Sequence, residues 1–298
     1  MKKVFMILLP VIFLLPTGVC AQEIPYYTNS YGVNLTQEQY NKLLSVFSEE
    51  SIYTMTPETL EIVKNAEYFT KTESEKYIRV DSYYDVYGNI VKQTETEITK
   101  SEALDNNDGK IIPYSWNITH QTNMKKLYMQ VISPAYMSHK VVTLTNTWLS
   151  IPVTKSFDVI AVRPETHSLV VTILPATISG YQKWDGNIIN YNVNSNNTKR
   201  SASFTGSGGV GISMNIVDDV KNTLENSLTV TFVSEADPFK IWGTYQHAQS
   251  DVTLAQSQNY SFGSSGLGNV LNFNSSVKSK YDGMQGVYLD YYFGEHLG

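Results

Sequence analysis

Residues 201–233 alternate between two kinds of side chain and constrain the fold more than any other part of the chain. One row is small and polar. The interleaved row is small and then apolar: Ala202, Phe204, Gly206, Gly208, Val210, Ile212, Met214 and Ile216. Side chains on a strand point to alternate faces, so this spacing predicts a long ribbon with one wet and one dry face. Asp218, Asp219 and Asn222 supply turn chemistry, and residues 228–232 alternate again. The sequence therefore predicts an amphipathic β-hairpin.

The same two-residue period recurs in shorter pieces from Lys76 onward. Gly88-Asn89 and Asp185-Gly186 each separate two such pieces, which is the pattern of a two-residue hairpin turn. The predicted strands cover residues 77–87, 90–98, 114–120, 127–132, 141–149, 157–162, 169–174, 181–184, 188–193, 241–247, 252–262, 270–277 and 286–293. Many short strands with Gly, Asn and Pro turns predict a mainly β fold, an antiparallel β-sandwich or barrel-like domain.

A small N-terminal helical pair is predicted ahead of these strands. Thr36 and Gln39 form a capping-box pattern, and Thr56-Pro57 begins a second helix. The first helix has apolar residues at helical spacing: Tyr40, Leu43, Leu44 and Phe47. We therefore expect a helical segment over residues 22–70 and an all-β domain over residues 71–298.

The first 21 residues have the three-part layout of a secretory signal peptide. Lys2 and Lys3 precede the apolar residues 4–15, and small residues end at Ala21, after which cleavage is expected. The apolar run is shorter than the roughly 20 residues that a membrane-spanning helix needs. A lipid anchor on Cys20 is an alternative. We therefore expect a secreted, extracellular or surface-associated chain with no stable transmembrane anchor after cleavage.

Composition argues against several chemistries. Without Lys2 and Lys3, 20 basic residues face 28 acidic ones, a net charge of −8 that argues against a nucleic-acid partner. Cys20 is the only cysteine and leaves with the signal peptide, so the mature chain has no disulfide, thiol nucleophile or cysteine metal site. The histidines show no metal-binding spacing: His120, His139, His167, His247 and His296. We expect no cofactor and no metal.

One resemblance to known proteins lies around the predicted helices. It is carried by Tyr31, Gly32, Val33, Leu35, Thr36, Tyr40, Leu43, Met55 and Thr56. Over these residues the chain resembles uncharacterised exported proteins of Gram-positive bacteria. The resemblance implies a bacterial source and an exported location, and it brings no activity.

No motif assigns a catalytic, cofactor-binding or metal-binding residue. Residues 206–211 match GxGxxG, but they lie inside a strand pattern, which predicts a glycine-rich ribbon rather than a dinucleotide site. No GxSxG is present. His247 would be a base oriented by Asp251 if a turn brought the two together. A glycosidase needs two acids, for which the candidates are Asp218, Asp219, Glu235 and Asp237.

The sequence therefore favours a secreted, non-enzymatic β-rich protein with an extracellular binding or surface-interaction role. Its ligand is a glycan or a protein, and aromatic side chains are candidates for the binding surface: Trp116, Trp148, Trp184, Trp242 and the 21 tyrosines. Two alternatives remain open. One is a pore-forming protein that inserts residues 201–233 as a membrane hairpin. The other is an extracellular hydrolase such as a glycosidase.

Export with cleavage after Ala21 is directly testable. Amino-terminal sequencing of protein recovered from the medium or the cell surface is expected to begin at Gln22. Recovery from the cytoplasm of a chain that still begins at Met1 would contradict export.

Overall fold

The computed structural model describes residues 26–105, 111–115, 117–134, 138–165, 171–201, 208–263, 270–283 and 286–292. The strands are β1 (Tyr27–Thr28), β2 (Asn34–Leu35), β3 (Phe69–Tyr84), β4 (Ile90–Ile98), β5 (Ile111–Ser115), β6 (Ile118–Pro134), β7 (His139–Trp148), β8 (Phe157–Pro164), β9 (Thr172–Trp184), β10 (Asn187–Asn192), β11 (Thr198–Ser201), β12 (Gly209–Asn215), β13 (Leu224–Val233), β14 (Phe239–Gln246), β15 (Tyr260–Phe262), β16 (Leu271–Phe273) and β17 (Gly286–Tyr291). The helices are α1 (Gln37–Leu44), α2 (Glu49–Thr54), α3 (Pro57–Val63), α4 (Lys100–Asp105), α5 (Leu254–Ser257) and α6 (Ser275–Lys278).

Two antiparallel sheets face each other across a common core. The large sheet has the order β10-β9-β13-β7-β6-β3-β4, with β5 beside β6, and the small sheet has the order β11-β12-β8-β14-β17. Their inward rows meet in one buried cluster that includes Leu127, Leu144 and Leu228 from the large sheet and Ile160, Ile212, Ile241 and Leu289 from the small one. The predicted mainly β, antiparallel sandwich is confirmed.

Each sheet is also partly covered on its outer face. Helices α1–α3 pack on the large sheet and share a second buried cluster with Ile132 and Val141. The β15–β16 hairpin covers the small sheet, where Tyr260 and Phe262 pack in a third cluster. These aromatic side chains explain the glycine-rich ribbon, because a Cβ on Gly211 would lie 2.3 Å from the Tyr260 hydroxyl. The outer face of β12 is therefore dry, although the sequence predicted that it would be wet.

The helices begin where the sequence places their caps. The capping box of Thr36 and Gln39 is formed, and Thr56 caps α3. The predicted pair corresponds to α1 and α3, and α2, capped by Ser48, lies between them. Phe47 falls beyond the end of α1, since that helix stops at Leu44 and the chain turns before α2. The division of the chain at residue 70 stays a prediction.

The predicted hairpin over residues 201–233 is wrong. Strand β12 pairs with β11 and β8 in the small sheet, whereas β13 pairs with β7 and β9 in the large sheet. Residues 216–223 thus carry the chain from one sheet to the other, and residues 202–207 lie outside the described part. The predicted direction of the apolar row holds in both strands. Ile212 and Met214 point into the core, as does Leu228 from the opposite sheet.

Two-residue turns were predicted at two places, and one is confirmed. At Asp185-Gly186, Trp184 pairs with Asn187, and the two turn residues have φ of 43° and 87°. Such positive φ values suit a tight hairpin turn, and glycine adopts them without strain.

Several other predicted strands differ from the structure. Residues 270–277 hold only β16 before α6 begins, and residues 172–174 and 181–184 belong to one strand, β9. Residues 85–89 form a wider turn than predicted, because the Asp85 carboxylate accepts hydrogen bonds from the backbone amides of Tyr87 and Asn89, at 2.9 and 2.8 Å. Residues 114–120 are divided between β5 and β6, which pair with each other. Residues 252–262 contain α5, which begins at a second capping box.

The predicted signal peptide lies outside the described residues. Within them, no helix combines the length and the apolar character needed to cross a bilayer.

Replacing Ile212 with aspartate tests the packing between the sheets. Ile212 is fully buried, so Ile212→Asp would place an unpaired charge in the core. We expect the free energy of unfolding to fall by on the order of 4 kcal/mol, measured by thermal and denaturant unfolding. The matched control is Asn215→Asp at the exposed end of the same strand, which should change it by less than about 0.5 kcal/mol.

Liposome leakage measured on the same proteins distinguishes a strand that is packed in the core from a strand that leaves the fold to insert into a membrane. We expect no dye release by the wild type. The packed arrangement would be contradicted if the wild type released dye, and if Ile212→Asp abolished this release without changing the melting temperature.

Candidate functional site

A cleft of about 340 Å³ lies on the outer face of the large sheet, beside the connection between α1 and α2. Its floor includes Tyr128 and Gln130 from β6 and a threonine row from β7. These side chains point outward because Leu127, Met129 and Leu144 occupy the inward positions of the same strands. One wall is apolar and consists of Leu44, Val46 and Phe47. The cleft therefore combines a polar floor with an apolar wall.

A ladder of paired side chains crosses the floor between β7 and β13. The pairs are Thr143 with Thr229 at 3.1 Å, Thr145 with Ser227 at 3.1 Å, and Thr147 with Glu225 at 3.2 Å. The partners stand directly opposite each other in the antiparallel register. A hydroxyl has one donor and two acceptor positions, so each hydroxyl keeps hydrogen-bonding capacity after its pair has formed. Thr145 and Thr147 are half-buried and can offer this capacity to a ligand.

Glu225 at one end of the cleft is held by two donors. Thr147 donates to Glu225 Oε2, and the Tyr181 hydroxyl donates to Oε1 at 2.7 Å. Burial raises the pKa of Tyr181 well above its ordinary value, and the charge of Glu225 raises it further. Tyr181 therefore stays protonated and remains a donor. Beside it, an ion pair between Lys183 and Glu50 joins β9 to α2.

The other side of the cleft carries two lysines around one aromatic ring. The ammonium groups of Lys71 and Lys126 lie over Tyr128, at 5.9 and 5.4 Å from the ring centroid. Each lysine also has a carboxylate partner, Glu73 at 2.5 Å and Glu75 at 2.9 Å respectively. Burial, together with Glu73, raises the pKa of Tyr128, whose hydroxyl donates to Glu73 at 2.5 Å. Both the ring and the hydroxyl of Tyr128 thus have charged neighbours.

The sequence singled out His247 but paired it with the wrong acid. His247 Nδ1 lies 3.0 Å from both oxygens of Asp158, which also accepts the Ala248 amide at 2.8 Å. Asp251 is exposed and takes no part. Asp158 is 89 residues away in sequence, so no local pattern signals the pair. No hydroxyl or thiol side chain of the described residues hydrogen-bonds to His247, so no nucleophile accompanies it.

The carboxylates predicted for a glycosidase do not lie in the cleft. Asp218, Asp219, Glu235 and Asp237 are all exposed, outside the cleft. Glu225 is the only acid among the described residues that line the cleft, whereas glycoside hydrolysis uses two. The described lining of the cleft therefore does not provide the acid pair of a glycosidase.

The remaining predicted residues do not form a site either. No group of three metal-ligating side chains occurs in the part of the chain that the structure describes, which includes His120, His139 and His247. Trp148, Trp184 and Trp242 are buried. His167, His296 and Trp116 lie outside the described residues.

Comparisons with known proteins show only distant similarity. No family model and no curated protein matches the chain. A solved structure named BspA_C_WT shares 9% identity over 60% of this chain and 87% of its own, with a TM-score of 0.26. The collagen-binding domain of the Erysipelothrix rhusiopathiae surface protein RspB shares 9% identity over 59% of this chain and 70% of its own, with a TM-score of 0.23. These similarities are too distant to transfer a ligand.

Tyr181→Phe tests the anchoring of Glu225. The substitution keeps the ring and removes the hydroxyl, so Glu225 loses one of its two donors. We expect the free energy of unfolding to fall by about 1–3 kcal/mol, measured by denaturant unfolding.

Tyr191→Phe is the matched control. Burial raises the pKa of Tyr191 to about 12, but its hydroxyl makes no hydrogen bond to the described residues. A loss as large in Tyr191→Phe as in Tyr181→Phe would contradict a specific role for the Glu225 hydrogen bond.

Proposed function

We propose that this chain is an exported binding protein of the cell exterior and that its cleft holds an extended segment of a protein ligand. The observation that carries the proposal is the polar floor beside the apolar wall. A polypeptide presents both kinds of surface along its length, since backbone amides alternate with side chains. The proposal includes no reaction.

The dimensions of the floor suit a short extended segment. Thr143, Thr145 and Thr147 occupy alternate positions of one strand, and at roughly 3.3 Å per residue they span about 13 Å. That length accommodates about four residues of an extended chain. Such a segment would place its amides over the hydroxyls, and its apolar side chains would lie against Leu44, which is 40% exposed.

The charges and the aromatic ring favour a peptide over a glycan. Two ammonium groups already lie over Tyr128, so a sugar ring would compete with them for this aromatic ring. Lys71 and Lys126 on one side and Glu225 on the other would receive charged groups of both signs. A protein ligand supplies such groups, and a neutral glycan does not.

Two cleft variants test the proposal with linear peptides displayed on phage and a glycan array as the probes. Leu44→Asp removes the apolar wall at an exposed position, and Thr145→Arg fills the floor. Selected peptides are expected to bind each variant at least about tenfold more weakly than wild type, a loss of about 1.4 kcal/mol, measured by surface plasmon resonance.

Leu104→Asp is the matched control, because Leu104 is an exposed leucine near the end of another helix, α4. It is expected to bind the peptides as wild type does. An equal loss in Leu104→Asp would contradict the cleft as the site. If the wild type binds glycans but no peptide, and Thr145→Arg abolishes the glycan binding, the ligand of the cleft is a sugar and not a peptide. If the wild-type protein binds neither the peptides nor the glycans, the proposal is overturned.

A further inference from the structure

A buried ion pair connects the two sheets at one end of the sandwich. Lys125 lies on the inward face of β6 in the large sheet, and Asp282 lies just before β17 of the small sheet. The Lys125 Nζ and Asp282 Oδ2 atoms are 2.5 Å apart, and both side chains have no exposed surface. Neither residue belongs to the cleft, so the chemistry of this pair does not depend on the proposed ligand.

A second carboxylate lies beside this pair. Glu95 Oε1 is 3.4 Å from Lys125 Nζ, and the Glu95 side chain is only 5% exposed. Gly283 leaves room for it, since a Cβ at that position would lie 3.0 Å from Glu95 Oε2. The amine is thus in contact with one carboxyl that it can attack and with another that can take a proton.

The surroundings are largely aromatic. Lys125 Nζ lies 6.0 Å from the centroid of the Trp148 ring and 5.8 Å from that of Tyr245. Burial raises the pKa of Asp282, although Lys125 opposes the shift. Burial also disfavours the charged form of Lys125, but the neighbouring Asp282 and Glu95 raise its pKa overall. Burial favours transfer of a proton from the ammonium to Asp282, because the transfer turns two buried charges into a neutral pair, whereas the carboxylates of Asp282 and Glu95 oppose it.

We propose that Lys125 and Asp282 condense into an isopeptide bond, with Glu95 as the catalytic proton carrier. The site is a modification site formed by the chain's own residues, and its product is an amide between two side chains. No cofactor or oxidant is needed, because a condensation changes no oxidation state.

The condensation balances in atoms and protons. The Lys125 ammonium gives one proton to Asp282 Oδ2, which leaves a neutral amine and a neutral carboxylic acid. The amine nitrogen bonds to the Asp282 carboxyl carbon. Glu95 then takes a proton from this nitrogen and delivers it to the Oδ2 hydroxyl. The carbon–Oδ2 bond breaks, water leaves, and Glu95 is again a carboxylate.

The backbone amide of His247 fixes the fate of the other oxygen. It donates to Asp282 Oδ1 at 2.8 Å, so Oδ1 is placed to carry negative charge during the attack and to become the amide carbonyl. The fold holds amine and carboxyl in contact, which replaces a bimolecular encounter by an intramolecular one. The product also removes the desolvation penalty of a buried ion pair.

Intact mass spectrometry of the full-length mature protein, under denaturing conditions, tests the bond. The expected mass is lower than the sequence mass by one water molecule. After trypsin digestion, fragment 281–298 is expected to be joined to fragment 111–126, because acylated Lys125 is not cleaved. An intact mass equal to the sequence mass would overturn the proposal.

The Asp282-Gly283 sequence can lose the same water by closing a succinimide. The tryptic fragments distinguish the two products, since a succinimide leaves fragment 281–298 separate and allows cleavage after Lys125. Loss of water with separate fragments would therefore also overturn the proposal.

Glu95→Gln tests the proton carrier, and Glu97→Gln is its control. Glu95→Gln keeps the volume and the Lys125–Asp282 contact but removes the basic oxygen, so its mass is expected to return to the sequence value. Glu97 lies on the same strand, is exposed and pairs with Lys76 at 2.9 Å, so Glu97→Gln should still lose the water.

Far-UV circular dichroism establishes that both variants are folded. A folded Glu95→Gln protein that still carries the joined fragments would overturn the role of Glu95. If Glu95→Gln does not fold, the wild-type mass and the joined fragments still decide whether the bond forms.

Discussion

The apolar contact between the two sheets is the interaction on which the other features depend. Strands contribute inward rows at a period of two, and Ile212 and Leu228 from neighbouring segments meet across the interface. Once this row is fixed, the outward row is fixed as well, so Thr143, Thr145 and Thr147 must point away from the core. The helices then cover part of that outer face and leave the cleft beside them. The same alternation directs Lys125 inward, among aromatic side chains.

The sequence predicts which face a residue occupies far better than which strand lies beside it. The inward apolar rows of residues 210–216 and 228–232 were predicted correctly, but the two strands belong to different sheets. Period-two patterns specify a face and not a partner, and turn residues such as Asp218 suit a sheet crossing as well as a hairpin. The turn at Asp185-Gly186 was predictable because only a narrow set of residues adopts positive φ.

The candidate site could be predicted less well from the sequence, because the fold brings its residues together from segments that are far apart in the chain. The threonine row of β7 has the composition of a solvated face, and the cleft arises only where α1 ends at Leu44. Lys125, Asp282 and Glu95 come from three distant segments, and each alone is typical of a surface charge. His247 was a candidate base for which closeness in sequence suggested Asp251 as the partner, whereas the fold supplies Asp158.

The position of β17 at the edge of the small sheet has a mechanical consequence. Its described part pairs with β14, and Tyr291 stands opposite Phe239 at the outer end of this ladder. Tension applied at Tyr291 would load the hydrogen bonds one pair after another, as in the opening of a zipper. An amide at Asp282 would stop this peeling at the start of β17 and pass the load to β6. That strand is flanked by β3 and β7, so the force would be shared across the middle of the large sheet.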